Sequence, residues 1–212
     1  MTIDNARDGR RPLNGTVDFS MMYAAHDAFT RHLERLLAAI DNGRAGTAQT
    51  RAGWVLFTGQ LHLHHTTEDS SLWPRLRASV TRPEEIAVLD DMEREHAQLE
   101  PLLGRVDAAM AAADTGALAA GVRELRDVLG AHMRHEESEA LPLVATHLGA
   151  AGWAAFGQDI RKRQGIRGAA VYLPWLFDGA PEATRTQVLA MLPRPARLLY
   201  RRIWEPRYRR TL

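Results

Sequence analysis

The chain has 212 residues, 45% of them hydrophobic and 25% charged, with a formal net charge of +1. Those values belong to a globular protein long enough to bury a sizeable core, and they exclude fibrous and disordered classes. There is no cysteine, which excludes disulfides, thiolate metal sites and cysteine nucleophiles and leaves His, Asp, Glu and Tyr as the available metal ligands.

Residues 1–15, MTIDNARDGRRPLNG, read as a polar N-terminal arm without the apolar segment of a signal peptide. No apolar run approaches the length needed to cross a bilayer, so the expectation is a cytoplasmic protein with no membrane partner. Residues 18–40 place Phe19, Met22, His26, Phe29, Leu33, Leu36 and Ile40 at steps of three and four before a DNG stop, the pattern of an amphipathic helix. Residues 47–76 repeat it through Trp54, Phe57, Leu61, His64, Glu68 and Leu72, with Pro74 near the end. A third segment opens with Thr81 and Pro83-Glu84-Glu85, continues through Leu89, Met92, His96, Leu99, Leu103, Val106 and Met110, and is expected to kink at Pro101. The fourth, about 117–148, carries Leu118, Val122, Leu125, Leu129, His132, Glu136, Ala140 and Leu143 and ends at Gly149.

Short connections between long amphipathic helices predict an all-α, up-down-up-down four-helix bundle over residues 16–150. Each of its helices puts a polar group on its own apolar seam. In an antiparallel bundle His26, His64, Glu68, His96, His132 and Glu136 fall at one level near one end.

The last part, 151–212, reads as a basic helical extension of two or three short helices, broken at Pro-Trp, Asp-Gly and Arg-Pro. Residues 1–159 hold 15 basic and 23 acidic groups (−8), whereas 160–212 hold 12 and 3 (+9). Such a face either docks on the acidic body or attracts an anionic partner. Trp175, Phe177, Tyr200 and Trp204 line a pocket there or form a satellite core. No helix-turn-helix or aromatic RNA-binding signature is present, so no nucleic-acid partner is expected.

Residues 62–69, HLHHTTED, pack three histidines and two acids into eight positions. Laid over residues 132–142, the stretch 64–74 puts His64 on His132, Glu68 on Glu136, Asp69 on Glu137 and Pro74 on Pro142. Residues i and i+4 of a helix lie about 40° apart around its axis, so each His-x-x-x-Glu aims an imidazole and a carboxylate at one point. A charged carboxylate in an apolar core costs several kcal/mol unless paired or bound to metal. No Lys or Arg occupies the seam positions, so metal is the better solution, and nitrogen and oxygen ligands suit a pair of non-haem iron or manganese ions. His65 lies about 100° from His64 and about 60° from Glu68, placing it either on the metal or against Asp69. His32, His62, His135 and His147 lie off the seam and read as surface residues or supports of the ligands.

One histidine on each of the first and third helices, with His-x-x-x-Glu on the second and fourth, resembles the hemerythrin or HHE cation-binding family. The Leu-Trp-Pro and Leu-Pro that close the two repeats are similar to that family too. The resemblance implies two iron ions, oxo- or hydroxo-bridged, with His26, His64, His96 and His132 as terminal ligands and Glu68 and Glu136 as bridges. Oxygen carriers of the family have a second histidine where this chain has Met92, so the place is either open to substrate or filled by His65. Tyr23, one turn before His26, is a further candidate ligand. The resemblance also implies reaction with oxygen or hydrogen peroxide, as a peroxide-degrading enzyme or an oxidase, with an anionic reductant such as a reduced deazaflavin near the basic extension. The alternative it leaves open is a non-catalytic binder or sensor of oxygen, nitric oxide or iron.

Overall fold

The computed structural model describes residues 17–210. The expected arm, 1–15, lies outside the described residues. Among those described there are helices and no strand.

Helix α1 (Ser20–Asp41) stops where the Asn42 side chain donates to the Ala38 carbonyl at 2.7 Å and Gly43 takes a φ of 69°, a conformation that favours glycine. Helix α2 (Ala48–Thr67) starts at Thr47, whose hydroxyl accepts the Thr50 N–H at 3.2 Å. It runs through a π-helical turn, Glu68–Leu72, into α3 (Trp73–Arg77). Helix α4 (Pro83–Ala111) has its proline in the first turn, followed by two acids. The kink expected at Pro101 does not interrupt it, and the helix is continuous through that residue. Helix α5 (Thr115–His135) is capped by Asp114, which accepts the Ala117 N–H at 2.9 Å. It continues through a π-helical turn, Glu136–Ala140, then α6 (Leu141–Leu143) and a second such turn, Val144–Leu148. The chain then reverses at Gly149, φ 59°.

Each of the two long repeats widens from α to π at its glutamate. The Trp73 N–H reaches back to the Glu68 carbonyl and the Leu141 N–H to the Glu136 carbonyl, five residues earlier in both cases. Proline follows directly, at 74 and 142. In an ordinary turn its ring would press on the carbonyl four residues back, and the wider turn relieves that contact. The hydroxyls of Thr66 and Thr67 also return to carbonyls four residues earlier, each at 2.6 Å, which further bends the helix before Glu68.

Helices α1, α2, α4 and α5 form a ring in which each touches the next, the expected four-helix bundle. Its apolar interior is split in two. Phe29, Leu33, Phe57, Leu61, Leu99 and Leu129 belong to one buried cluster, and Met22, Leu72, Trp73, Leu89, Met92 and Leu141 to another. His26, His64, Glu68, His96, His132 and Glu136 occupy the layer between them and are all buried.

The extension begins with Gly149–Phe177, written α7, two helical stretches that meet at Gly165, whose φ of 60° and ψ of −178° are not helical. The second stretch runs on through Pro174, where a break was expected at Pro-Trp. Leu173, Trp175, Leu176 and Phe177 bury themselves against the bundle, and that packing outweighs the proline penalty. Helices α8 (Glu182–Met191), α9 (Arg194–Leu199) and α10 (Glu205–Arg209) follow, with a π-helical turn at Tyr200–Trp204. Trp175, Phe177, Tyr200 and Trp204 form no satellite core of their own; all four are buried in the larger bundle cluster. Trp175 donates its indole N–H to His32 Nδ1 at 3.1 Å, so His32 ties the extension to α1. Burial, followed by the charge of Arg35, lowers the His32 pKa to about 4 and keeps it a neutral acceptor.

The expected docking of the basic face on the acidic body is only partly realised. The extension packs through apolar residues, and Arg185 and Arg209 pair within it, on Glu205, at 2.6 and 2.8 Å. One stretch also departs from the expectation of no long apolar run. Within Thr115–Phe177 an 18-residue window has a mean hydropathy of 1.2 and is 22% buried. The reversal at Gly149 lies inside that span, so no straight helix runs through it.

Candidate metal centre

The two glutamates that open the π-helical turns are 0% exposed, and none of their four carboxylate oxygens has a hydrogen-bond partner. That many orphaned buried acceptors would cost several kcal/mol each without a cation. Imidazoles surround them. Glu68 Oε1 lies 3.1 Å from His64 Nε2 and its Oε2 3.7 Å from His96 Nε2, so this carboxylate spans two helices. Glu136 Oε2 lies 3.1 Å from His26 Nε2.

The nitrogen atoms fall into two groups. His26 and His64 face each other through Nε2 at 3.4 Å and, with Glu136, bring three ligand atoms within 4.8 Å of one another. His96 and His132 face each other at 3.1 Å and do the same with His65. His65 is stacked on His96 with ring centroids 4.0 Å apart. Its alternative partner, Asp69, instead accepts from His96 Nδ1 at 2.8 Å. Met92 is buried in the apolar cluster beside Leu89, and the third imidazole of that group comes from α2, not α4. Tyr23 packs edge-on against Phe19, with ring centroids 6.4 Å apart.

Carboxylates hold the outer nitrogens. His26 Nδ1 donates to Glu137 at 2.7 Å, His96 Nδ1 to Asp69 at 2.8 Å and His132 Nδ1 to Glu95 at 2.9 Å. An ionised carboxylate only accepts, so each Nδ1 carries a proton, and in the neutral ring Nε2 turns its lone pair inward. At 3.1 Å the facing lone pairs of His96 and His132 repel unless a positive charge lies between them. Two nitrogens each about 2.1 Å from one ion subtend roughly 95° at a separation of 3.1 Å and roughly 108° at 3.4 Å, within the range of octahedral to tetrahedral coordination.

Titration without a metal tells the same story. Burial disfavours the His26 cation, yet Glu136 and Glu137 outweigh burial and raise its pKa to about 9, so that a proton takes up the charge deficit. His64 is pushed down to about 3 by burial and then by the charge of His26. His65 also falls well below the usual imidazole range, chiefly through burial and then through His96. Glu68 rises well above the carboxylate range because it is buried and faces the charge of Glu136.

Four supporting contacts, made by three acids, were not expected from the sequence. Glu95 holds both His132 and, at 2.8 Å, His135. Its only signal was its place next to a seam histidine. Asp69 and Glu137 occupy equivalent places in the two repeats, and each reaches the imidazole of a different helix. Of the other off-seam histidines, His147 bonds Glu85 at 2.9 Å and His62 is exposed.

A family profile described as the hemerythrin HHE cation binding domain matches residues 17–144, more than half of the chain and all four bundle helices. No curated protein and no solved structure matches. With the profile and the two inward-facing groups of ligand atoms in agreement, the chain belongs to the hemerythrin HHE cation-binding family.

Proposed function

We propose that this is a non-haem di-iron protein that reacts with oxygen or hydrogen peroxide as a redox enzyme. His65, His96 and His132 would hold one ion and His26 and His64 the other, with Glu68 and Glu136 as the carboxylates shared between the two groups. The observation that carries this assignment is the set of four buried carboxylate oxygens without hydrogen-bond partners, set among imidazoles whose outer nitrogens are already engaged. Oxygen and nitrogen donors without thiolate suit iron, which supplies electron transfer to oxygen or peroxide when bound.

The chain's own groups do the rest. Glu137, Asp69 and Glu95 fix the tautomer and direction of His26, His96 and His132. The apolar clusters above and below keep water from the layer. With three imidazoles in one group and two in the other, the His26–His64 side, not the Met92 side, would leave room for a small substrate. An anionic reductant, with reduced deazaflavin one member of the class, returns the electrons.

A non-catalytic carrier or sensor of oxygen, nitric oxide or iron is the alternative. One observation favours it: His65 restores the imidazole that Met92 lacks. Metal analysis with the ultraviolet-visible spectrum of protein from iron-replete cells tests the iron assignment; two irons per chain and near-ultraviolet absorption are expected, and zinc alone overturns it. Stopped-flow mixing of reduced protein with oxygen then separates the roles. Prompt oxidation with consumption of oxygen marks the enzyme, and a stable, reversible adduct marks the carrier.

A further inference from the structure

Beside the metal layer, on the outer side of the Glu68–Leu72 turn, a cleft of about 510 Å³ opens between that turn and α7. It is lined by Ser70, Ser71, Arg75, Asp159, Lys162 and Arg163. Asp159 is its single acid and is already engaged: it accepts from Arg75 at 2.7 Å and from the Ser71 hydroxyl at 2.6 Å. Arg163 donates to the Ser70 hydroxyl at 2.7 Å. Among the described residues, Lys162 and Arg163 form no salt bridge, nor do Arg161 and Arg167 on the same helix, and Arg163 acts on Asp159 only through its charge. No acid follows Asp159 in the sequence until Asp178, and that one pairs with Arg35. The chain therefore gathers three cations against one acid in one concave place although its body is acidic. The hydroxyl hydrogens are already given, by Ser70 to the Thr66 carbonyl and by Ser71 to Asp159, and it is the guanidinium and ammonium groups that match the oxygens of a phosphate group.

We propose that this cleft binds the phosphate group of a small soluble molecule. In calling that molecule the electron donor of the centre, the assignment rests on the redox function proposed above; the binding itself does not. Ser70 and Ser71 belong to the π-helical turn that carries Glu68, so the bound molecule sits one turn of chain away from the metal layer. A cleft of about 510 Å³ is large enough for a nucleotide-sized ligand.

Calorimetric titration of the full-length protein, carrying its metal, with glycerol phosphate at low ionic strength tests the assignment. Saturable binding at one site is expected, weakened at least tenfold in Lys162→Glu/Arg163→Glu, whose metal content and melting temperature stay unchanged because both side chains are exposed. Asp159→Asn removes the one negative charge of the cleft and should tighten binding, a gain that structural damage does not mimic. Arg197→Glu/Arg201→Glu, in the α9 region, should leave it unchanged. Absence of saturable binding, equal affinity in the Lys162/Arg163 double variant, or attachment to anionic vesicles without binding of the ester would each overturn the assignment. A protein that binds the ester yet consumes no oxygen or peroxide supports the cleft and sinks the redox function; the converse result sinks the cleft alone.

Discussion

Replacing Glu95 by Gln should weaken one metal ion and spare the other. The carboxylate accepts from His132 Nδ1 at 2.9 Å and from His135 Nδ1 at 2.8 Å, one oxygen to each ring. Glutamine keeps the shape but loses the charge, and one of its two positions becomes an N–H₂ group that confronts a ring N–H. His132 must then turn or change tautomer, and its inward nitrogen becomes a poorer donor. Losses of outer carboxylates of this kind cost about 10- to 100-fold in metal affinity, which is about 1.4 to 2.8 kcal/mol. The effect should fall on the ion held by His65, His96 and His132, because Glu95 makes no contact with His26 or His64. Competition with a chromogenic chelator, followed in wild type and variant, resolves the two ions as separate steps. Equal weakening of both steps, or no change beyond twofold in either, refutes the assignment of Glu95 as an orienting group.

Glu68→Ala and Glu136→Ala should each lose at least one iron together with activity; two irons per chain in both variants, measured by metal analysis, refutes the bridging role. His65→Ala should weaken the ion beside His96 by more than tenfold in the same chelator assay, whereas Met92→Leu, a buried and nearly volume-conserving change, should cost less than about 1.5 kcal/mol in denaturant melts and leave metal content alone. The metal-free chain should lose stability as pH rises. His26 has its pKa raised from 6.5 to about 9 by folding, so its contribution is fully present below about 6.5 and disappears as pH passes 9, and the raised Glu68 acts in the same direction. Thermal melts of the metal-free protein should therefore fall across that window while those of the loaded protein do not, and a flat metal-free profile contradicts the sign.

The bundle and its inward ligands were legible because seam periodicity forces whatever sits at positions such as His26 or His132 into the interior, and the two repeats fix their common level. His65 was ambiguous for a physical reason. At about 100° from His64 on an ideal helix it could face either way, and only its stacking on His96 settles where it points. Glu95 was invisible because its partner lies on another helix, and no spacing rule within one helix reports that. The π-helical turns were hidden too: proline after a Ser-rich or Glu-rich stretch predicts a helix end, yet here the helix widens and carries on. In the extension the breaks at Asp178-Gly179 and beside Arg194-Pro195 were legible, whereas burial of residues 173–177 overrode the proline at 174 that local rules would treat as a stop.

The division of the interior into two apolar clusters has a consequence for the life of the molecule. Neither half is joined to the other by oily contact alone, and in the seam between them acid opposes acid and imidazole opposes imidazole when no cation is present. A cation in that seam acts as a keystone: by mass action, every tenfold rise in free metal above its dissociation constant adds about 1.4 kcal/mol to the fold. Loading and folding are then one equilibrium, and a metal-starved chain should breathe apart first at its waist, which amide hydrogen exchange would register around residues 64–68 and 132–136.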